Sequence, residues 1–208
     1  MPTPDPAVFV VDDDPAVRDS LCSLVSSVGL PVKAFPTADA FLEWTTPEQL
    51  GCVVTDVRMP GMSGMHLQEA LAARASALSV IIVTGHADVP MAIRAMKTGA
   101  VDFIEKPFND QQLIELISKA VTKSVLIVRK SEETKEIWRR RRSLTARENE
   151  VFEQLIACHP NKVIAANLGL SQKTIEIHRA KLMRKMRAKS FAELITMATK
   201  LQPDNEIS

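Results

Sequence analysis

Short apolar runs alternate with amphipathic stretches through residues 7–122, and this alternation limits the folds that the chain can adopt. The apolar runs predict strands at Val8–Asp12, Val32–Phe35, Cys52–Asp56, Val80–Thr84 and Val101–Glu105. The stretches between and after them predict helices at roughly Pro15–Val28, Ala38–Trp44, Gly64–Ala75, Val89–Thr98 and Asp110–Lys123. Runs such as 80–83 show no polar alternation, which is typical of parallel strands covered on both faces. The pattern predicts a doubly wound α/β domain with right-handed crossovers.

Acidic residues stand at the ends of two of these predicted strands. Asp56 ends one run, and Asp12, Asp13 and Asp14 follow another. Ligands of open parallel sheets bind beyond the carboxyl ends of the strands. Several carboxylates crowded there repel one another unless a cation neutralises them. The sequence therefore predicts a hard divalent ion, Mg²⁺, held by few protein ligands and free to take a phosphate.

Composition excludes several classes of protein. The chain is 46% hydrophobic and 25% charged, which is ordinary for a soluble globular protein. No apolar run approaches the ~20 residues that span a bilayer, and the N-terminus lacks the basic and apolar regions of a signal peptide. Cys22, Cys52 and Cys158 have no metal-ligand spacing. We expect a cytoplasmic protein without a membrane partner.

Charge divides the chain into two parts. Residues 1–125 hold 9 Lys and Arg against 15 Asp and Glu, whereas residues 126–208 hold 17 against 10. Such an asymmetry indicates two modules with different partners, and the basic module is a candidate for binding nucleic acid.

The basic part contains a pattern of short helices. Thr145 and Glu148 have capping-box spacing at the start of one helix, which stops before Pro160. Further helices are predicted at about Lys162–Leu168, from Ser171 to about Met186, and at Ser190–Leu201. A short helix, a turn containing glycine and a basic helix form a helix-turn-helix pattern. We predict three segments: a first domain at 1–123, a helical or flexible linker at 124–142, and a second domain at 143–208.

The first domain resembles the receiver domain of bacterial two-component response regulators. Five separated parts carry the resemblance, namely Asp12-Asp13, Asp56, Thr84, Phe103 and Lys106-Pro107. The resemblance implies a flavodoxin-like, five-stranded parallel sheet of order 2-1-3-4-5. It also implies that the chain is no enzyme in the usual sense, catalysing only its own phosphoryl transfer and slow autodephosphorylation.

The resemblance assigns a role to each of these residues. Asp56 is the expected phosphoacceptor for a sensor histidine kinase, with Lys106 and Thr84 binding the phosphoryl oxygens. Asp13, Asp56 and the backbone carbonyl of Arg58 are the expected Mg²⁺ ligands, with Asp12 acting through water and Mn²⁺ as a substitute metal. Thr84 and Phe103 are the expected switch pair, which couples phosphorylation to homodimer formation. Candidate dimer contacts are Ile93, Met96 and Ala100, which the sequence allows equally as core residues.

The second domain resembles LuxR-type output domains, and the whole chain is similar to FixJ/NarL-type regulators. The residues that carry this resemblance are Leu144-Thr145, Arg147-Glu148, Asn161-Lys162, Ile164-Ala165, Leu168, Ser171, Thr174-Ile175, Ile177-His178 and Lys185-Met186. Val163 departs from a glutamate that is common in the family. The resemblance implies double-stranded promoter DNA as partner, with RNA polymerase as a further candidate. The predicted DNA-binding residues are Lys173, Thr174, Glu176, Ile177, His178, Arg179, Ala180, Lys181 and Lys185.

Within this set, Glu176, Ile177 and Ala180 are the expected base readers, and the basic residues are expected at phosphates. For any single basic residue, solubilising the helix is an equally good explanation. The run Arg139–Arg142 is explained at least as well by a solvated segment as by phosphate contact.

Two alternatives compete with a phosphorylation-switched transcriptional regulator. One is an aspartyl-phosphate hydrolase, although such enzymes have a second acid where this chain has Arg58. The other keeps the receiver but makes the second domain an RNA-binding or protein-docking module.

Overall fold

The computed structural model describes residues 5–85 and 89–201. It divides into two compact units, Met1–Arg129 and Lys130–Ser208, and the division falls inside the stretch predicted as a linker. The outer ends of the two predicted domains, 1–4 and 202–208, lie outside the described residues.

A five-stranded parallel sheet forms the centre of the first unit. Its strands are β1 (Ala7–Val11), β2 (Val32–Phe35), β3 (Gly51–Asp56), β4 (Ser79–Thr84) and β5 (Asp102–Glu105). Their order is β2-β1-β3-β4-β5 and every pairing is parallel. The doubly wound sheet and its order are as predicted, and each strand begins or ends within one residue of its predicted bound.

Helices cover both faces of this sheet. They are α1 (Pro15–Ser27), α2 (Ala38–Trp44), α3 (Gly64–Ala73), α4 (Val89–Lys97) and α5 (Asp110–Arg142). Successive side chains of a strand point to opposite faces. Phe9 and Val11 therefore join one buried cluster with α2 and α3, whereas Val8 and Val10 join another with α1 and α5.

Two glycines let backbone segments approach where a side chain would collide. At Gly51, which starts β3 with φ +126°, an added Cβ would lie 1.8 Å from the carbonyl oxygen of Ala7 on β1. At Gly64, which starts α3, it would lie 2.2 Å from the carbonyl oxygen of Asp56. Gly64 thereby lets α3 begin directly beside the end of β3.

Helix α5 is much longer than the helix predicted at Asp110–Lys123. It continues through the predicted linker to Arg142 as one helix of 33 residues. Ser124 is fully buried, and its Oγ accepts the backbone N–H of Gly51 at 3.0 Å. Ile137 is buried in the core of the second unit. The predicted linker is therefore helical, and it makes buried contacts with the first unit through Ser124 and with the second unit through Ile137.

The second unit packs the end of α5 with four further helices: α6 (Ala146–Ile156), α7 (Asn161–Leu168), α8 (Gln172–Met186) and α9 (Phe191–Leu201). The capping box of Thr145 and Glu148 is present in full, and the Oγ of Ser171 caps α8. Four apolar residues of the sequence, Leu170, Ile175, Leu182 and Met186, are predicted to pack inward on this helix. Ile175, Leu182 and Met186 are fully buried, whereas Leu170 precedes α8 and is half-buried. The opposite face of this basic helix is left at the surface. Among the helices of residues 5–85 and 89–201, none is both long and apolar enough to cross a membrane.

Candidate functional sites

The acidic residues after β1 and β3 meet at one edge of the sheet. Val11 pairs with Thr55 in the parallel register, so the residues that follow these two strands are neighbours. Asp56 is the last residue of β3 and Asp12 the first residue after β1. The prediction that the carboxyl ends of these strands bring carboxylates together agrees with this register.

Lys106 joins two of these carboxylates. Its Nζ lies 3.0 Å from Oδ1 of Asp56 and 3.2 Å from Oδ2 of Asp12. Lys106 directly follows β5, and its backbone N–H donates to the carbonyl oxygen of Thr84 at 2.7 Å. The peptide bond between Lys106 and Pro107 is cis. The receiver resemblance implied an ion pair of Lys106 with Asp56 or with its phosphoryl oxygens, whereas the contact with Asp12 was not predicted.

Burial and charge act in opposite directions on these groups. Burial raises the pKa of Asp12, although the N–H of Asp14 and the charge of Lys106 both act to lower it. Burial also disfavours the charged form of Lys106, but hydrogen bonds and charges of Asp56 and Asp12 outweigh that effect and raise the pKa of Lys106. The pocket therefore holds a firmly protonated lysine next to crowded carboxylates.

The three consecutive acids have separate positions. The Oδ1 of Asp12 accepts the N–H of Asp14, and Asp12 is only 3% exposed. Asp14 caps α1 by accepting the N–H of Ala16 at 2.8 Å. Asp13 remains exposed at the surface. Asp14 is exposed as well, but its carboxylate is used as the helix cap.

The donor chemistry of the pocket fits Mg²⁺. Asp12 and Asp56 share a single lysine, so two carboxylates lie beside one positive charge, and exposed Asp13 follows in the chain. Hard divalent cations favour such oxygen donors. Across residues 5–85 and 89–201, no group of three or more His, Cys, Asp or Glu side chains is arranged to hold a metal. The predicted set of two carboxylates and the carbonyl of Arg58 stays a prediction.

The second carboxylate oxygen of Asp56 also has a partner, and the predicted switch residues lie on the next two strands of the sheet. The backbone N–H of Arg58 donates to Oδ2 of Asp56 at 2.6 Å. Thr84 ends β4 and is 1% exposed. Phe103 on β5 is partly buried against the hydrophobic cluster that contains Phe9 and Val11. On α4, Ile93 and Met96 are about half exposed, and Ala100 is buried. Of the three candidate dimer contacts, Ala100 is therefore a core residue.

Helix α8 exposes most of the residues predicted to bind DNA. Lys173, Glu176, Ile177, Ala180 and Lys181 are exposed, and Ile177 keeps 50% of its surface accessible although it is apolar. Thr174, His178, Arg179 and Lys185 are half-buried. The exposed side chain of Ile177 suits apolar contact with a thymine methyl group.

Comparisons with protein families match both units. The model of the response regulator receiver domain matches residues 8–118, and that of bacterial regulatory proteins of the luxR family matches residues 142–198. The chain belongs to the response regulators.

Named relatives of this response regulator are similar along nearly its whole length. The transcriptional regulatory protein FixJ of Azorhizobium caulinodans is 46% identical over 191 residues, which are 92% of this chain and 90% of that protein. FixJ of Rhizobium meliloti is 43% identical over 194 residues, covering 93% and 95%. The response regulator is thus a FixJ-like transcriptional regulator with a LuxR-type DNA-binding domain. Proteins of this family are not conventional enzymes, which disfavours the hydrolase alternative.

Solved structures give the same result. The low-resolution structure of response regulator StyR matches with a TM-score of 0.84 and 41% identity, over 95% of this chain and 100% of that one. The crystal structure of FixJ-N matches with a TM-score of 0.53 and 47% identity, over 57% and 95%. Receiver domains of response regulators generally bind Mg²⁺, in agreement with the donor chemistry of the acidic pocket.

Several side chains of the response regulator have partners that sequence reasoning missed. Arg18 on α1 donates to the carbonyl oxygen of Asp12 at 2.7 Å, a contact for which the sequence holds no signal. In the run of four arginines, Arg139 and Arg140 pair with Glu136, and Arg141 pairs with Glu153 and lies over the ring of Phe152. The run is therefore only partly solvated, because Arg140 and Arg141 are half-buried whereas Arg139 is 78% exposed.

Proposed function

We propose that the response regulator accepts a phosphoryl group on Asp56 from a histidine kinase and then binds promoter DNA as a homodimer. The observation that carries the proposal is the position of Asp56, a 13% exposed carboxylate at the end of β3 within 3.0 Å of Lys106. The proposal includes a cytoplasmic location and the domain limits 1–123, 124–142 and 143–208.

In the transfer, one Asp56 oxygen forms a bond to phosphorus while the P–N bond of the kinase phosphohistidine breaks. The bonding electron pair leaves with the imidazole nitrogen. A carboxylate is a poor nucleophile, so positioning and charge neutralisation supply most of the catalysis. Lys106 supports this role because its ammonium is movable and stays protonated, and can follow a phosphoryl oxygen.

Mg²⁺ would be held by Asp13, Asp56 and the backbone carbonyl of Arg58, with Asp12 acting through water and Mn²⁺ as a substitute. When bound, the ion supplies positive charge against the phosphoryl oxygens. The crowding of the pocket supports the assignment, since the carboxylates of Asp12 and Asp56 lie 3.2 Å and 3.0 Å from the same ammonium of Lys106.

Phosphorylation adds about −1.5 to −2 charges at Asp56, enough to bias a bistable surface element. Thr84 and Phe103 would carry this change from the pocket toward α4. Ile93 and Met96 support α4 as part of the dimer face, because both are large, apolar and about half exposed. A dimer presents two copies of α8, so that two weak contacts, one with each half of the DNA site, act together as one strong contact.

At the DNA, Glu176, Ile177 and Ala180 would read base edges from the exposed face of α8 in the major groove. Exposed Lys173 and Lys181 would contact phosphates, with His178 and Arg179 beside them and Thr174 near the helix start. RNA polymerase is a further candidate partner of the bound dimer.

Labelling by a small acyl phosphate in the presence of Mg²⁺ tests the proposal. The Asp56→Ala variant should lose labelling, and DNA selected from a random duplex pool should no longer bind more tightly after acyl-phosphate treatment. Asp19→Ala, a change at an exposed carboxylate of α1, is the matched control and should behave as the wild type. Undiminished labelling of Asp56→Ala would show that another residue is the phosphoacceptor.

A further inference from the structure

Lys185, in the last turn of α8, is bound inside the second unit. Its Nζ lies 2.6 Å from Oε2 of Glu148 on α6 and 3.1 Å from the carbonyl oxygen of Ser143. Glu148 is only 3% exposed, and the same oxygen accepts the N–H of Thr145 at 2.8 Å. The lysine thus connects the end of α8 to the N-terminal cap of α6.

A second contact holds the same end of α8. The Nη1 of Arg140 donates to the carbonyl oxygen of Met186 at 3.2 Å, and its Nε donates to Glu136 at 2.9 Å. Carbonyl groups in the last turn of a helix have no partner within the helix. Arg140 of α5 and Glu148 of α6 therefore hold the C-terminal turn of α8 from two neighbouring segments.

A phosphate would have to compete with these partners for Lys185. Moving the ammonium to DNA would leave the buried carboxylate of Glu148 without its cation, and an unpaired buried charge is strongly unfavourable. Lys181, one turn earlier on α8, has an exposed side chain and needs no such exchange. The two lysines therefore differ in what they offer to DNA.

We propose that Glu148 and Lys185 are positioning residues for DNA recognition, and that Lys185 makes no phosphate contact. This proposal rests on the proposed reading of bases by α8, and it departs from the sequence prediction that Lys185 binds DNA. The ion pair sets the direction of α8 against α6, and with it the place where Glu176 and Ile177 meet the bases.

The length of α8 makes this direction matter. Nine residues separate Glu176 from Lys185, or roughly 13 Å at about 1.5 Å per residue. A tilt of about 10° at the clamped end would move the reading end by about 2 Å, which exceeds the distance tolerance of a hydrogen bond. Contacts with base edges depend on this distance, whereas non-specific attraction to the phosphate backbone does not.

The test compares a duplex selected by the wild-type full-length protein from a random pool with a scrambled duplex of the same length and composition. Dissociation constants for both duplexes are measured over a series of salt concentrations, under conditions where circular dichroism shows the variants folded. The variants are Glu148→Gln, Lys185→Met and Lys185→Arg. A glutamine at this position keeps the capping box, so Glu148→Gln removes the ion pair alone.

For Glu148→Gln and Lys185→Met, the ratio of selected to scrambled affinity should fall by about tenfold, the value of one good base contact. The slope of affinity against salt should stay unchanged for both. Lys185→Arg keeps a cation near Glu148 and should restore the ratio. Loss of stability alone would not move the ratio, because folded protein is compared on two duplexes.

Glu150→Gln, a change at an exposed residue of α6, is the matched control and should keep both ratio and slope. One result that would overturn the proposal is a Lys185→Met variant that keeps the wild-type ratio of affinities for the selected and scrambled duplexes while its slope of log affinity against log salt falls by about 0.9. Such a fall is expected when one phosphate contact is lost. An intact ratio in Glu148→Gln would overturn it as well. An unchanged slope in Lys181→Ala would instead contradict the proposed phosphate contacts and leave the result for Glu148 standing.

Discussion

The ammonium of Lys106 lies 3.0 Å from Oδ1 of Asp56, so one positive charge from the end of β5 already reaches the carboxylate at the end of β3. The same ammonium also serves Asp12 at 3.2 Å. Since Asp12 is buried, the lysine has a structural role in the pocket as well as its proposed role in phosphoryl transfer.

Replacing Lys106 by methionine should destabilise the first unit by about 1–3 kcal/mol in EDTA, because a buried acceptor on Asp12 loses its donor. Added Mg²⁺ should recover part of the loss if the cation enters the same pocket. Urea unfolding with and without Mg²⁺ measures both effects. Lys97→Met, at an exposed position of α4, is the control, and equal stability of the two variants would contradict the pairing.

Replacing Gly51 by alanine should cost about 3 kcal/mol or more, from backbone strain together with overpacking against Ala7. Gly29→Ala provides a control, because Gly29 also has a positive φ, +77°, but an added Cβ there would meet nothing within 4 Å. That change should cost about 1–2 kcal/mol. Equal losses in urea unfolding would show that β1 and β3 can separate at little cost.

Glu148→Gln should reduce stability in a pH-dependent manner. The hydrogen bond from Lys185, together with the N–H of Thr145, lowers the pKa of Glu148 from its usual value of 4.5. A lowered carboxyl pKa contributes stability that is present above the unfolded value and is lost as pH falls through the folded pKa. The stability difference between wild type and Glu148→Gln should therefore be largest near neutral pH and shrink below about pH 4.5. Denaturant unfolding across this range measures it, and a difference that grows on acidification would refute the stated direction.

Lys181→Ala should weaken binding to all duplexes alike and reduce the salt slope by about 0.9, the effect of one lost phosphate contact. Titration of a selected and a scrambled duplex over several salt concentrations is the measurement. Lys97→Ala changes a lysine outside the second unit and should leave the slope as it is.

Glu176→Ala should change which sequence is preferred, because a carboxylate on the exposed face of α8 can accept from a cytosine amino group. Discrimination at one base position should fall by about 1–3 kcal/mol while the salt slope is kept. Selection from a random duplex pool measures the preference. If Glu176→Ala selects the same sites as the wild type, Glu176 is not a base reader.

Local pattern was sufficient for most of the fold. Hydrophobic periodicity predicts the strands and the inward residues of α8. The types and spacing of two residues, Thr145 and Glu148, predict the cap of α6. All of these signals act over short stretches of chain. The meeting of Asp56 with the acids after β1 could be predicted because parallel strands bring their carboxyl ends to one edge, whereas the pairing of Asp56 with Lys106 was implied by the family resemblance. The end of α5 was missed because residues 124–142 have little apolar periodicity, and their helix depends on contacts such as Ser124 with Gly51.

By itself, the sequence determined the alternation of elements, the acidic edge of the sheet and the basic helix of the second unit, since these depend on residue type and spacing. Only the tertiary structure decided how individual charges are used. Lys106 serves Asp12 as well as Asp56, Lys185 binds Glu148, and Arg140 caps α8, because each partner is brought close by packing between distant segments. A lysine or arginine has the same charge wherever it stands, and its role depends on which acceptor the fold places within about 3 Å of it.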